Sequence, residues 1–183
     1  MKLKIPNKYA YEAAVCYSAD EIDKRLEKLG AEINSDYPDG VVLLMNQNAA
    51  LIFVADLLRK LSIKTEIDTL TIGRLRRSPG ETPLLFLRDK LNVDIKGKDV
   101  LVCTDIVRSG FTMHFLVGRL KNEKPSSLSV CALLHNPSQQ LLPLPIKYVG
   151  FETGYNSLCG YGMAYRGNGR GFPDIVKLIP DKN

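Results

Sequence analysis

Residues 104–112 carry the chemical groups of this chain that are best suited to bind a phosphorylated sugar. The segment follows an apolar run, contains a carboxylate at Asp105, and continues through a small-residue turn into a helical pattern. In an open parallel sheet, ligands bind beyond the carboxyl ends of the strands, where helix N-termini present free amides to phosphate. We therefore expect Asp105 to contact a sugar hydroxyl or a metal ion, and Ser109, Gly110 and Thr112 to hold a phosphate.

The elements around this segment are predicted to be strands that alternate with helices. Helical apolar spacing follows Ser18, whose separation from Glu21 is that of a capping box, and it returns before residue 61 and over residues 111–121. Such alternation predicts an α/β fold, a parallel sheet flanked by helices with right-handed crossovers. The apolar runs of strand length are residues 41–46, 66–73, 100–104, 127–135 and 147–153.

Three stretches are predicted to be less regular than these elements. Residues 74–83 are basic and rich in turn formers, so we expect a loop there. Residues 1–17 are expected to be extended and irregular, and residues 154–173 to form a glycine-rich tail. A chain of 183 residues suits a single domain.

Composition narrows the classes of partner. The net charge of +5 suits an anionic ligand, nucleic acid or simply a basic surface, and the lack of a long Lys/Arg-rich arm makes nucleic acid the weaker reading. Four scattered cysteines without a C-x-x-C pair argue against a zinc site, and Cys103 and Cys131 are expected to be inert core residues. The N-terminus has no long apolar run, which predicts a cytoplasmic chain with reduced thiols and no membrane partner.

Other ligand-binding patterns do not fit the sequence. A Walker loop, a nucleophile elbow and a G-x-G-x-x-G turn between strand and helix are all missing. The strand–Asp–helix unit alone would also suit a flavodoxin-like protein in which Asp105 is only a hydrogen-bonding cap. The order of motifs along the rest of the chain bears on that choice.

Taken in order, these motifs resemble the type I phosphoribosyltransferases, and most closely the hypoxanthine-guanine phosphoribosyltransferases. Residues 104–112 resemble the family motif for phosphoribosyl pyrophosphate, and the F-x-A-D-L pattern of residues 53–57 resembles its second helical unit. The resemblance implies a type I phosphoribosyltransferase-like parallel sheet in one domain, residues 1–183. Its core would cover about residues 18–153, with a small hood from residues 1–17 and 154–183.

The family reaction displaces pyrophosphate from the anomeric carbon of ribose by a purine nitrogen, with Mg²⁺ on the pyrophosphate. By resemblance, Asp105 contacts ribose and metal, and it is a catalytic residue together with Arg108. The predicted 5′-phosphate site is Arg108, Ser109, Gly110, Phe111 and Thr112; the pyrophosphate site is Asn48, Ala49 and Arg74; and the base site is Asn136, Tyr148 and Val149.

Several family side chains are replaced in this sequence. Thr104 stands where the family has the first acid of its pair, and Arg108 where it has the carboxylate that accepts the purine proton. Arginine stays protonated and has no acceptor atom, but it binds anions well. Asn48 and Asn136 each stand in place of a lysine, and Arg74, Arg76 and Arg77 are candidates to restore the lost charge.

The resemblance therefore implies a purine phosphoribosyltransferase, a pentosyltransferase that uses phosphoribosyl pyrophosphate, a purine base and Mg²⁺. Altered base specificity is one reading of the replaced side chains. The alternative is a catalytically degenerate member of the fold that binds a nucleotide or phosphoribosyl pyrophosphate as a sensor or regulator. Homo-oligomers, dimers or tetramers, are common in the family.

Overall fold

A five-stranded parallel sheet forms the centre of the computed structural model, which describes residues 11–46, 48–75 and 84–180. Its strand order is β3-β2-β6-β7-β8, so the carboxyl ends of all five strands lie along one edge. This confirms the predicted parallel α/β fold. The strands are β2 (Val41–Asn46), β3 (Thr65–Leu70), β6 (Asp99–Val107), β7 (Ser127–His135) and β8 (Tyr148–Glu152).

Three α-helices cover the two faces of this sheet. Helix α1 (Ala19–Asp36) begins with the predicted capping box, in which the Ser18 hydroxyl accepts from the Glu21 amide and the Glu21 carboxylate accepts from the Ser18 amide. It and α2 (Leu51–Arg59) pack on one face, while α3 (Phe111–Lys121) packs on the other. Because every residue of β2 is buried between these layers, its sequence is continuously apolar until Asn46.

A small hairpin replaces part of one predicted strand and part of the predicted loop. The run of residues 66–73 is broken after β3, and β4 (Ile72–Leu75) pairs antiparallel with β5 (Leu84–Leu87). Arg74 therefore lies in a strand opposite Leu85, which corrects its predicted place in a loop. Apolar runs of four residues carry too little periodicity to separate this hairpin from the sheet strand before it.

Strands from both ends of the chain form a second sheet. β1 (Tyr11–Tyr17) pairs antiparallel with β10 (Ile175–Pro180), which pairs in turn with the short β9 (Leu158–Cys159). Residues 11–17 are thus a regular strand, contrary to the irregular segment predicted for residues 1–17. Between β9 and β10 the chain runs through tight turns with several positive φ angles. The domain boundaries stated above remain a prediction.

The two cysteines predicted to be core residues are buried. Cys103 and Cys131 stand opposite each other on β6 and β7 with no accessible surface, and all four cysteines are free thiols. Among the described residues, no helix has both the length and the apolar character needed to cross a membrane.

Candidate active site

The turn between β6 and α3 presents backbone amides at the carboxyl edge of the sheet. Gly110 adopts a left-handed conformation, with φ of 83°, and its carbonyl accepts the first helical hydrogen bond from the His114 amide at 2.8 Å. The amides of the first helical turn have no partner within the helix, and no side chain caps them. They can therefore bind an anion, and the phosphate contacts of Ser109, Gly110, Phe111 and Thr112 stay a prediction.

A neighbouring loop supports this turn from behind. The amides of Leu141 and Leu142 donate to the Ser109 carbonyl at 3.1 and 3.3 Å. A methyl group placed on Gly110 would lie 3.3 Å from the Leu142 carbonyl oxygen, so the loop also limits the space behind the turn. The phosphate-binding geometry is consequently held by packing as well as by its own backbone.

A cavity of about 310 Å³ opens in front of this turn, at the carboxyl ends of β2 and β6. It joins most of the predicted ribose and phosphate residues to one arginine of the hairpin. Phe111 is not in its wall, although it is half-exposed at the helix start. The wall consists of Asn46, Arg74, Thr104, Asp105, Ile106, Val107, Arg108, Ser109, Gly110, Thr112 and Met113.

Three polar side chains form a hydrogen-bonded chain at the floor of this cavity. The Asn46 Nδ2 donates to the Thr104 Oγ1 at 3.1 Å, and the Thr104 hydroxyl donates to the Asp105 Oδ1 at 3.2 Å. Asn46 and Thr104 are both buried, and the Asn46 Oδ1 has no partner among the described residues. A buried acceptor without a partner is costly, so Asn46 contributes support from below the cavity rather than an accessible ligand contact.

Burial raises the pKa of the Asp105 carboxyl, because removal from water disfavours its charged form. The Ile106 and Asp105 amides, the Thr104 hydroxyl and the Arg108 guanidinium all act in the opposite direction without cancelling the effect. Asp105 therefore binds a proton more readily than an exposed aspartate, and its position in the cavity wall leaves the sugar contact a prediction.

Two guanidinium groups outnumber the single carboxyl in the cavity wall. Arg74 reaches it from the hairpin, and Arg108 from the turn after β6. Both side chains are exposed, and neither makes a hydrogen bond or ion pair within the described part of the chain. The cavity therefore carries net positive charge and unused donors, which suits a ligand with several anionic oxygens.

The described residues of this cavity do not form a magnesium site on their own. Mg²⁺ at phosphate sites binds one or two protein carboxylates and takes its other ligands from the substrate and water, and the described wall offers one carboxylate, Asp105. The neighbouring hydroxyl of Thr104 already bonds Asn46 and Asp105, and Arg108 adds a repelling charge. Within residues 11–46, 48–75 and 84–180 no three His, Cys, Asp or Glu side chains converge as metal ligands. The predicted metal role of Asp105 thus gains no support from its surroundings.

The predicted pyrophosphate loop lies beside the cavity without lining it. Asn48 and Ala49 belong to a short 3₁₀ turn, Asn48–Ala50, that follows β2, and Asn48 is exposed. The Ala49 carbonyl lies 2.4 Å from where a side chain of Gly162 would begin, so the C-terminal segment packs on this turn. Of the predicted pyrophosphate residues, only Arg74 is in the cavity wall. Arg76 and Arg77 lie outside the described residues.

Asn136 lines a second cavity, of about 320 Å³, at the carboxyl ends of β7 and β8. Its side chain is fully buried, its Oδ1 accepts from the Ser138 hydroxyl at 2.7 Å, and its Nδ2 has no partner among the described residues. Glu152 and Thr153 form the opposite wall. This cavity is the part of the sheet edge nearest to the predicted purine site.

The structure does not bring Tyr148 or Val149 to this edge. Tyr148 begins β8 at the amino edge of the sheet, where its hydroxyl donates to the Asp36 Oδ2 at 2.6 Å, and burial with this bond raises its pKa. The Val149 carbonyl accepts from Arg25 at 2.7 Å. In a parallel sheet, the start of a strand is distant from the end that meets a ligand, so these positions argue against the predicted base contacts.

Sequence reasoning missed Asn46 as a residue of the site. The signal was present, because Asn46 is the one polar residue that closes the apolar run of β2. It also did not select Glu152 and Thr153, which end the strand that Tyr148 begins. A polar residue at the end of a buried parallel strand faces the ligand-binding edge, which is a rule the sequence alone can supply.

The parallel sheet, with an uncapped helix start and two arginines at a cavity on its carboxyl edge, has the features of an α/β protein whose ligand is anionic. A family model described as a phosphoribosyl transferase domain matches residues 18–166. The chain is also 34% identical over 168 residues to a hypoxanthine phosphoribosyltransferase of Buchnera aphidicola, covering 90% of this chain and 95% of that protein. It is 33% identical to the hypoxanthine phosphoribosyltransferase of Escherichia coli, covering 87% and 91%.

Solved structures with a fold similar to this chain include proteins of the same name. A hypoxanthine-guanine phosphoribosyltransferase of Bacillus anthracis superposes with a TM-score of 0.83 at 28% identity, covering 90% of this chain and 97% of that one. A hypoxanthine phosphoribosyltransferase of Staphylococcus aureus gives 0.86 at 27%, covering 92% of each chain. The chain belongs to the type I phosphoribosyltransferase family, in the group of the hypoxanthine-guanine enzymes.

Proposed function

We propose that this protein transfers the phosphoribosyl group of phosphoribosyl pyrophosphate to a purine base of the hypoxanthine or guanine type. The observation that carries the proposal is the cavity that joins Asp105 to the amide-bearing turn of residues 109–112. Its shape and donors suit a ribose 5-phosphate, and relatives over nearly the whole chain are named as purine phosphoribosyltransferases.

In this reaction the bond between the anomeric carbon and a pyrophosphate oxygen breaks, and its electron pair leaves with pyrophosphate. A purine nitrogen forms the new bond to carbon. The turn of residues 109–112 holds the 5′-phosphate, and Asp105 accepts from the ribose hydroxyls. Asn46 supports Asp105 indirectly, through the Thr104 hydroxyl.

The purine must also lose its N–H proton, and Arg108 has no atom to accept it. A guanidinium next to the base instead stabilises its anionic form. We therefore propose that the proton goes to solvent before transfer, so that the base reacts as an anion. An acceptor base that is readily ionised, or that carries an acidic substituent, suits this site better than a neutral one.

Arg108 also favours a second function, in which the protein binds phosphoribosyl pyrophosphate or a nucleotide without turning it over. A site that lacks a proton acceptor but keeps its phosphate turn holds the ligand and reacts slowly. Under this reading the protein is a sensor or regulator, and a ligand-dependent response replaces product formation.

The test is product formation with phosphoribosyl pyrophosphate and separate purine bases: hypoxanthine, guanine, xanthine and, for comparison, adenine. The enzyme hypothesis predicts nucleotide and pyrophosphate in equal amounts, with the Asp105→Ala variant at least tenfold slower. Absence of nucleotide with every base, in protein that binds phosphoribosyl pyrophosphate, supports the sensor function and rejects the transferase.

Cytoplasmic location and a homo-oligomeric state belong to the same proposal. Four free thiols suit a reducing compartment. Sedimentation of the purified chain tests the oligomer, because a dimer or tetramer has two or four times the mass of the monomer.

A further inference from the structure

The charges that face the ribose-phosphate cavity are unusual for a site that binds a metal-bound pyrophosphate. One carboxyl, Asp105, faces two guanidinium groups, those of Arg74 and Arg108. Resting on the proposed function, we infer that these two arginines hold the phosphate groups of phosphoribosyl pyrophosphate without a magnesium ion. The guanidinium groups supply the charge neutralisation that a divalent cation supplies elsewhere.

The first step in the argument is that both arginines are available. Arg74 and Arg108 approach the cavity from different elements, the hairpin strand β4 and the turn after β6, so they flank the space rather than share one side of it. Neither has an acidic partner at ion-pair distance within the described residues. Their ten donor hydrogens are thus uncommitted, about five for each guanidinium.

The second step is that the described residues opposite them offer little to a metal ion. The Thr104 hydroxyl accepts from Asn46 at 3.1 Å and donates to Asp105 at 3.2 Å, and Asp105 is the one carboxylate that the described residues contribute to the cavity wall. A cation bound at Asp105 would also be repelled by the Arg108 guanidinium, which lines the same cavity. The Asp105 carboxyl instead suits a ribose hydroxyl, from which it can accept a hydrogen bond.

The third step is that hydrogen-bond acceptor and donor groups lie in different parts of the cavity, so a ligand binds in one orientation. The Asp105 carboxyl lies near the end of β6, and the donors lie on the turn of residues 109–112 and on the two arginines. A sugar with hydroxyls on one edge and phosphates at both ends matches that division. The ligand class is therefore a metal-free phosphoribosyl polyphosphate.

The experiment is calorimetric titration of the folded protein with phosphoribosyl pyrophosphate, once with Mg²⁺ and once in excess EDTA. We expect saturable binding in both, with dissociation constants that agree within about threefold. Arg74→Gln and Arg108→Gln should each weaken binding in EDTA roughly tenfold to a hundredfold, which corresponds to the loss of charge-assisted hydrogen bonds. Arg119→Gln, on the far part of α3 and paired with Glu123, should leave binding unchanged.

The other possible outcomes overturn metal-free binding either alone or together with the proposed transferase function. Binding that requires Mg²⁺, or that survives both glutamine variants in EDTA, overturns this inference and leaves the transferase function standing. No binding in either condition, with native circular dichroism, rejects the proposed function and this inference together. Arg74→Lys separates charge from geometry, because a lysine keeps the charge but loses the planar fork, and an intermediate affinity is expected.

Discussion

The Asn46 amide donates to the Thr104 hydroxyl across two neighbouring parallel strands, at 3.1 Å and beneath the cavity floor. Both residues are buried, and Thr104 passes the interaction on to Asp105. The site is therefore supported by polar groups that depend on each other, and the removal of one hydroxyl affects three residues.

The Thr104→Val substitution tests this support. Valine keeps the shape of threonine but leaves the Asn46 Nδ2 unpaired, and its Oδ1 is unpaired already. We expect a loss of about 1–3 kcal/mol in the free energy of unfolding, measured by urea denaturation. The exposed strand position Thr69 provides a control, since Thr69→Val removes a hydroxyl that faces water. Equal effects at both positions would show that the buried bond contributes nothing.

Alanine substitutions at two glycines of this region should have opposite effects on the stability of the protein. Gly110→Ala forces a side chain into a left-handed backbone and against the Leu142 carbonyl, so we expect a cost of about 1–2 kcal/mol and weaker phosphate binding. Gly118 lies inside α3 with open space where a side chain would begin. Gly118→Ala should stabilise by about 0.5–1 kcal/mol. Thermal and urea unfolding measure both, and a stabilised Gly110→Ala would contradict the account of the turn.

The Asp105→Asn variant should change how stability depends on pH. Because burial raises the pKa of Asp105 in the folded state, the folded protein binds this proton more tightly than the unfolded chain. That contribution is complete below the pKa of the unfolded carboxyl and is lost as pH rises through the raised pKa. We therefore expect the variant to melt at a higher temperature than the wild type at pH 7–8, with the difference shrinking in acid.

Asp89→Asn, at an exposed position, is the matched control for this pH series. It should run parallel to the wild type over the whole pH range. If Asp105→Asn lowers the melting temperature at neutral pH instead, the carboxylate stabilises the folded state and the direction inferred for its pKa is wrong.

Arg108→Asp tests the proposal that the purine loses its N–H proton to solvent because Arg108 cannot accept it. The substitution restores a proton acceptor beside the base and removes a donor for the phosphates. For the transferase we expect kcat at saturating phosphoribosyl pyrophosphate and neutral pH to rise by roughly tenfold or more, since general-base catalysis contributes about 10²–10⁴, while KM for phosphoribosyl pyrophosphate also rises. The wild-type rate should increase with pH as the base itself ionises, and the variant should lose this dependence. A pH–rate profile that is identical in both proteins would exclude any role of Arg108 in the ionisation of the base.

Tyr17 connects the terminal sheet to the end of β8. Its hydroxyl donates to the Glu152 carbonyl at 2.8 Å, and its ring stacks on Phe151 with centroids 4.4 Å apart. Tyr17→Phe keeps the stack and loses the hydrogen bond, so we expect a loss of about 0.5–1.5 kcal/mol on urea unfolding. Tyr155→Phe, at a largely exposed ring, should cost less. A larger effect at Tyr155 would show that the contact of Tyr17 is not what ties the sheets together.

The sequence was sufficient to predict the helices and strands that have strong hydrophobic periodicity. The capping box at Ser18, the buried run of β2 and helix α3 stand where hydrophobic spacing predicts them, because each is long or clearly signalled. The β4–β5 hairpin was not predictable, since its four-residue strands pair only with each other. Their position over the cavity, and hence the place of Arg74, is a tertiary property.

The error at Tyr148 has a different cause. Residues 148–152 were recognised as a strand, but a strand has two ends, and only the carboxyl end meets the ligand edge of a parallel sheet. Tyr148 is at the other end. Asn46 shows the converse, because a polar residue at a strand end was visible in the sequence and its unpaired oxygen became apparent only from the structure.

The hydrogen bond from Tyr148 to Asp36 fastens β8 to α1 on the side of the sheet away from the cavities. This brace and the groups that meet a ligand thus occupy opposite ends of β8. Substitutions at the ligand end leave this contact intact, so the chemistry of the cavities can change while β8 stays fastened to α1.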